Sequence, residues 1–93
     1  MRTISRTSRF KKDYKREAKG RHRATLDAGL VAAISLLLTD DVLPEKFHDH
    51  ALSGEWKDHR DCHIKPDLVL IYRLPDSETL ELVRLGSHSE LSL

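Results

Sequence analysis

Residues 48–67, reading HDHALSGEWKDHRDCHIKPD, hold four of the chain's six histidines, four aspartates, its only tryptophan and its only cysteine. Histidine changes charge near neutral pH, so two of them can divide the work of a general base and a general acid. His50 precedes one expected strand, His63 lies on the polar face of the next, and His88 follows the last. Antiparallel pairing would bring all three to one side of a sheet, with Asp67 at a strand start, Asp61 beside His63, and Arg84 at a strand end. An arginine there can grip a phosphate with paired hydrogen bonds. This is equipment for metal-free RNA cleavage, for which no cofactor is expected. One group takes the proton from the 2′-OH, the phosphorus is attacked in line, and another protonates the departing 5′ oxygen. DNA lacks that hydroxyl, so the chemistry is specific to RNA.

Metal binding competes for the same residues. His48-x-His50 and Asp61-x-His63, with Asp67, offer nitrogen and oxygen ligands for zinc or manganese. Neither an HExxH helix nor paired cysteines accompany them, and no metal is expected. His48 and His59 read as surface residues and His22 as part of a basic linker. Trp56 reads as a core anchor, and Cys62 as a small buried hydrophobe without a partner thiol.

The elements that must position these groups follow from periodicity. Residues 2–6 make a weak edge strand. Ser8 is placed to cap a helix running to about Lys19, with Gly20 as its stop. Phe10, Tyr14 and Ala18 share its inner face, and Lys11, Lys12, Lys15, Arg16 and Lys19 spread over the outside. A second helix over residues 23–39 carries the stripe Leu26, Leu30, Ala33, Ile34, Leu37 and Leu38. The short link near residues 20–22 predicts a helical hairpin. Residues 51–54 form a short strand or turn. The alternation in residues 60–65 puts Cys62 and Ile64 into the core and Asp61 and His63 on the other face. Residues 68–74 form a central strand covered on both sides. Residues 75–77 turn the chain, and residues 80–85 are the last strand, closed by Gly86. The expected result is an α+β fold: two N-terminal helices on one face of a three- to four-stranded antiparallel sheet, the other face open and concave.

At 93 residues and 39% hydrophobic, the chain is read as one domain over residues 1–93 with a single core. A deep closed cavity is beyond that core, so chemistry belongs in an open groove suited to a polymer. Residues 1–23 carry ten Lys/Arg against Asp13 and Glu17, a balance of +8, while residues 24–93 carry six against thirteen acids, a balance of −7. A basic arm on an acidic body points to a polyanionic or acidic protein partner. The lone cysteine fits a reducing cytoplasm. The longest uncharged run, residues 28–39, is too short to span a bilayer, so no membrane association is expected.

Taken in order, Leu52-Ser-Gly-Glu-Trp56, then Arg60-Asp61-Cys62-His63-Ile64, then Asp67-Leu-Val-Leu-Ile-Tyr72 and Arg84-Leu-Gly86-Ser87-His88-Ser-Glu-Leu91 resemble the YafQ branch of the RelE/ParE toxin superfamily. The resemblance extends over nearly the whole chain and implies the RelE-like fold and a type II toxin–antitoxin toxin. It implies an endoribonuclease that cuts mRNA in the ribosomal A site, so that the 70S ribosome and mRNA are partners. A DinJ-like antitoxin would cover the active face in a hetero-oligomer. By position it makes His50, His63, Asp67 and His88 catalytic, with Asp61 and Arg84 supporting. His88 would be the acid and His50 or His63 the base. The basic first helix would contact ribosomal RNA phosphates. Two departures stand out: Ser92 occupies a position that is aromatic in many relatives, and Leu68 one that is often Trp. The superfamily also contains non-nucleolytic toxins that inhibit proteins such as DNA gyrase, the alternative reading.

Overall fold

An apolar run such as residues 68–72 has no polar face to leave in water, and it forces one strand into the middle of the molecule. In the computed structural model, which describes residues 1–93, the elements are β1 (Thr3–Arg6), α1 (Ser8–Glu17), α2 (Leu26–Leu38), β2 (His50–Ala51), β3 (Arg60–Lys65), β4 (Leu68–Asp76) and β5 (Thr79–Gly86). Single 3-10 turns at Glu45–Phe47 and Gly54–Trp56 flank β2. The sheet order is β1-β5-β4-β3-β2, with β4 central and Leu68 through Tyr72 all buried.

The expected α+β fold is present, with a larger sheet. Five strands form it, and β1 runs parallel to β5, so the sheet is mixed. The chain turns at Ser77 and Glu78, and Pro75 lies within the end of β4. Proline is tolerated there because β4 has a register shift between Arg73 and Asp76 that leaves ladder positions unpaired.

Thr7, not Ser8, caps α1: its hydroxyl accepts from the Phe10 N–H at 3.0 Å. The helix ends at Glu17, and Ala18 is exposed instead of packing inward. An eight-residue link, residues 18–25, joins the helices, and they share one core, with Phe10 and Tyr14 of α1 in the same cluster as Leu26, Leu30 and Ile34 of α2. α1 packs along β5 and α2 against β3, and a groove lined by Phe10, Tyr14, Leu30 and Ile34 lies between them. A hydrogen bond from the Tyr14 hydroxyl to Asp27 links the two helices. α2 starts only at Leu26, because residues 21–25 turn toward the β3–β4 connection.

Gly29 explains how α2 fits the sheet. A Cβ there would stand 2.7 Å from the Ile64 Cγ2, so the helix approaches β3 at backbone distance. The main core of fifteen buried residues fills the helix side of the sheet, from Phe10 and Leu26 to Cys62, Tyr72 and Leu85. The opposite face is only partly open. Leu91 folds back onto Val69 and Ile71, and Leu52, Trp56 and Val83 pack around them.

β5 is paired with β1 only as far as Leu82. Beyond that point, side chains of the α1 segment take the place of a strand. The Thr7 hydroxyl donates to the Val83 carbonyl (2.7 Å), Asp13 accepts from the Leu85 N–H (3.0 Å), and Arg16 donates to the Leu85 carbonyl (2.8 Å). This protects an edge that would otherwise be open to another chain.

Candidate active site

The register places the site. His50 on β2 pairs with Asp61 on β3, Asp61 with Ile71 on β4, and Ile71 with Arg84 on β5. Directly paired residues point to the same face, so these four form one row across the sheet. The next row is His63, Val69 and Gly86. Just past Gly86, where a Cβ would crowd Arg16 and Glu90, His88 folds beside His63, and their ring centroids are 5.0 Å apart. His48 closes the group from the other side, 5.2 Å from His63.

Asp61 lies beneath these imidazoles. It is 2% exposed, and its Oδ1 lies 3.1 Å from the His50 Nδ1 without forming a hydrogen bond. The Nδ1 proton of His50 has another acceptor, the His48 carbonyl at 2.9 Å, which leaves Nε2 as the basic nitrogen of neutral His50. Burial raises the Asp61 carboxyl above its ordinary value, and the charges of His50, His63 and His88 pull it back only in part. For His63, burial and the neighbouring His88, His48 and His50 outweigh the attraction of Asp61 and hold the imidazole below its ordinary value. His63 therefore favours its neutral form.

Two devices hold the ends of the cluster. His48 adopts a left-handed backbone (φ 47°, ψ 44°), which costs a non-glycine residue about 1–2 kcal/mol. Asp49 secures that bend: Arg60 donates to it at 3.1 Å and the Tyr72 hydroxyl also donates to it. At the other end, Ser87 and Glu90 form a reciprocal cap. The Ser87 N–H donates to Glu90 Oε1 at 2.9 Å, and the Glu90 N–H to the Ser87 hydroxyl at 3.2 Å. The resulting turn carries His88 and seats Leu91, which is 2% exposed.

Of the residues singled out from sequence, His50, Asp61, His63 and His88 come together. Arg84 is tied to α1, with Nε and Nη2 donating to the two Asp13 oxygens at 2.8 and 3.1 Å. Burial acts to raise the Asp13 carboxyl, but the Arg84 and Leu85 hydrogen bonds and the Arg16 charge outweigh it and hold the group below the carboxylate range. Asp67 is engaged elsewhere, accepting from His22 at 2.9 Å and pairing with Arg21, so it fastens the inter-helix linker to the β3–β4 turn. Arg16 is no free cation of the helix surface, since it pairs with Asp13, Glu17 and Glu90. Lys11, Lys12, Lys15 and Lys19 remain exposed and unpaired.

The sequence reading weighs His48 only as a metal ligand or a surface residue and overlooks both anchors, whose signals are the aspartate between His48 and His50 and the Ser87-x-x-Glu90 spacing. His59 is half-buried against Trp56, 5.3 Å between centroids, and is not a free surface residue. No group of three or more His, Cys, Asp and Glu side chains is arranged to hold a metal ion. Nor is any helix long and apolar enough to cross a membrane.

Comparison with known proteins gives a consistent picture. The profile of the family described as "Bacterial toxin of type II toxin-antitoxin system, YafQ" matches residues 2–93. The mRNA interferase toxin YafQ of Escherichia coli K12 is 37% identical over 90 residues, spanning 95% of this chain and 97% of that protein. A copper-bound mutant toxin from Helicobacter pylori superposes with a TM-score of 0.85 at 39% identity, covering 98% of this chain and 99% of that one. YafQ in the E. coli DinJ–YafQ complex superposes with a TM-score of 0.78 at 32% identity, with 98% of each chain covered.

Proposed function

Because this chain belongs to the YafQ family of type II toxin–antitoxin toxins, we propose that it is an mRNA endoribonuclease that acts on the ribosome, cuts in the A site and so arrests translation. The observation that carries this reading is the packing of His48, His50, His63 and His88 around the buried carboxylate of Asp61. His50 and His88 line the same groove with Asp61. Nε2 of His50 takes the 2′-OH proton, and the Asp61 charge 3.1 Å from its other nitrogen stabilises the imidazolium that forms. His88 protonates the 5′ oxygen as it leaves. Neutral His63, between His48 and His88, keeps the site from accumulating positive charge and offers an N–H to the phosphoryl oxygen.

Arg84, oriented by Asp13, keeps N–H groups beyond the two that it gives to the carboxylate and supplies them to the phosphate. The four free lysines of α1 supply nonspecific attraction to ribosomal RNA. A DinJ-like antitoxin is the partner that holds the toxin inactive. The test is induced expression with growth and mRNA cleavage followed together. The parent should arrest growth and cut translated messages, and His50→Ala with His88→Ala should do neither. Growth arrest that survives both substitutions would overturn the assignment, and arrest that tracks DNA damage would move it to a protein target such as DNA gyrase.

A further inference from the structure

The histidine cluster stands between two grooves of opposite character. One, of about 600 Å³, is lined by His50, His88, Asp61, Glu55 and Trp56 among others, and so contains two carboxylates. The other, also about 600 Å³, begins at His48 and His63 and continues past Lys46 and Lys65 over a floor that includes Phe47 and Ile64. No acidic residue lines this second groove. Every ion pair of the protein uses an arginine or a histidine as its cation, so both ammonium groups lack a carboxylate partner. They are also placed by the fold. The Lys65 stem passes over α2 with its Cε 4.0 Å from where a Gly29 Cβ would stand, and the Lys46 ammonium lies 5.4 Å from the Phe47 ring centroid.

Two unpaired cations at one end, imidazoles at the other and no acid between them make a receptor for a chain of anions. We infer that the Lys46–Lys65 groove is a subsite for the RNA backbone, holding the phosphate next to the scissile one. The inference rests on the nuclease reading above and extends it. A strand whose scissile phosphate lies over His50, Asp61 and His88 passes His63 into this groove, where the two ammonium groups fix its register.

The test compares the full-length parent, Lys46→Gln with Lys65→Gln, and a control Lys57→Gln at an exposed lysine outside both grooves. Binding of a labelled single-stranded 2′-O-methyl oligoribonucleotide, which cannot be cut, is measured from low to moderate salt. Loss of the subsite should flatten the slope of log K against log salt by about 0.7 for each phosphate contact removed. In ribosome-bound mRNA cleavage the double variant should raise KM by at least about tenfold, the factor for a single lost charge-assisted hydrogen bond, with kcat within about twofold of the parent. A double variant whose slope and KM equal those of the Lys57→Gln control would overturn the subsite. So would unchanged RNA binding with a selective loss of affinity for an acidic polyglutamate peptide, which would assign the groove to a protein partner. Failure of the nuclease reading shows separately, as a parent that cuts no RNA and remains toxic without His50 and His88.

Discussion

Asp61→Asn should separate function from stability in opposite directions. The carboxylate is 2% exposed, and its Oδ1 has no hydrogen-bond donor, since the nearest N–H, on His50, is given to the His48 carbonyl. An unsatisfied buried acceptor costs about 1–3 kcal/mol, and more when charged. Attraction from the imidazoles offsets part of this, but His63, depressed by burial and its neighbours, contributes little at neutral pH. Asparagine keeps the shape and removes the charge. A net gain of about 1 kcal/mol is expected at pH 7, which for a domain of this size raises Tm by about 4–8 °C.

The pH dependence has a definite sign. The folded-state pKa of Asp61 is raised, so the ionised form is disfavoured in the native protein. The stability deficit is absent below the unfolded carboxyl pKa near 3.9 and develops as pH rises through the higher folded value. Parent and variant should therefore melt together in acid and diverge toward neutrality. Under the proposed mechanism the variant also loses the charge assigned to stabilising the His50 imidazolium, and cleavage should fall about 10²- to 10⁴-fold. Thermal melts across the acid range, NMR titration of the His63 imidazole and a cleavage assay read the three effects. The His63 pKa should drop further, because Asp61 is the one neighbour that raises it. An Asn variant more than about 1 kcal/mol less stable than the parent at pH 7, with the His63 titration unmoved, would refute the buried-charge account.

Asp13→Ala should cost about 3 kcal/mol in denaturant melts, because it strands Arg84 and the Leu85 N–H together. The Asp13 pKa is lowered in the folded state, so its stabilisation is present above about pH 3.9 and is lost as pH falls through the lower folded value; the Ala variant should lack this part of the acid transition. Gly29→Ala should destabilise by about 1 kcal/mol despite alanine's better helix propensity. The new Cβ meets a β-branched side chain that is itself 8% exposed, and overpacking of about 1–3 kcal/mol exceeds the helix gain of about 1; a melt that rises instead shows α2 shifting freely. Cys62 is fully buried with its thiol pushed up to about 12, so native protein should resist iodoacetamide at neutral pH and react only as it unfolds, as mass spectrometry of timed samples would show.

Much of the site was legible in the sequence because strand alternation is a local signal. Residues 60–65 alone put Asp61 and His63 opposite Cys62 and Ile64, and the structure keeps that division. What alternation does not encode is depth. Asp61 faces away from the main core and is still buried, because Leu91 and Trp56, thirty residues after it and five before it, roof that face of the sheet. Arg84 reads as a free cation until α1 crosses the unpaired end of β5 and brings Asp13 against it, a contact across 71 residues. The parallel pairing of β1 with β5 is likewise a long-range outcome, set by which strand edge was left to cover.

The same division explains why the catalytic candidates sit where they do. Of the clustered imidazoles, only His63 belongs to a long internal strand, where burial and its imidazole neighbours hold it below its ordinary value. His48, His50 and His88 stand on segments tied down at single points: Asp49 under Arg60 and Tyr72, and Ser87 against Glu90. Such anchors fix the positions of His48 and His50 while leaving both exposed, and hold the half-buried His88 beside His63. Cutting the Asp49 anchor should therefore disturb catalysis more than folding. The Tyr72 ring it serves is already buried in the core, while the left-handed bend at His48 would lose the bonds that hold it.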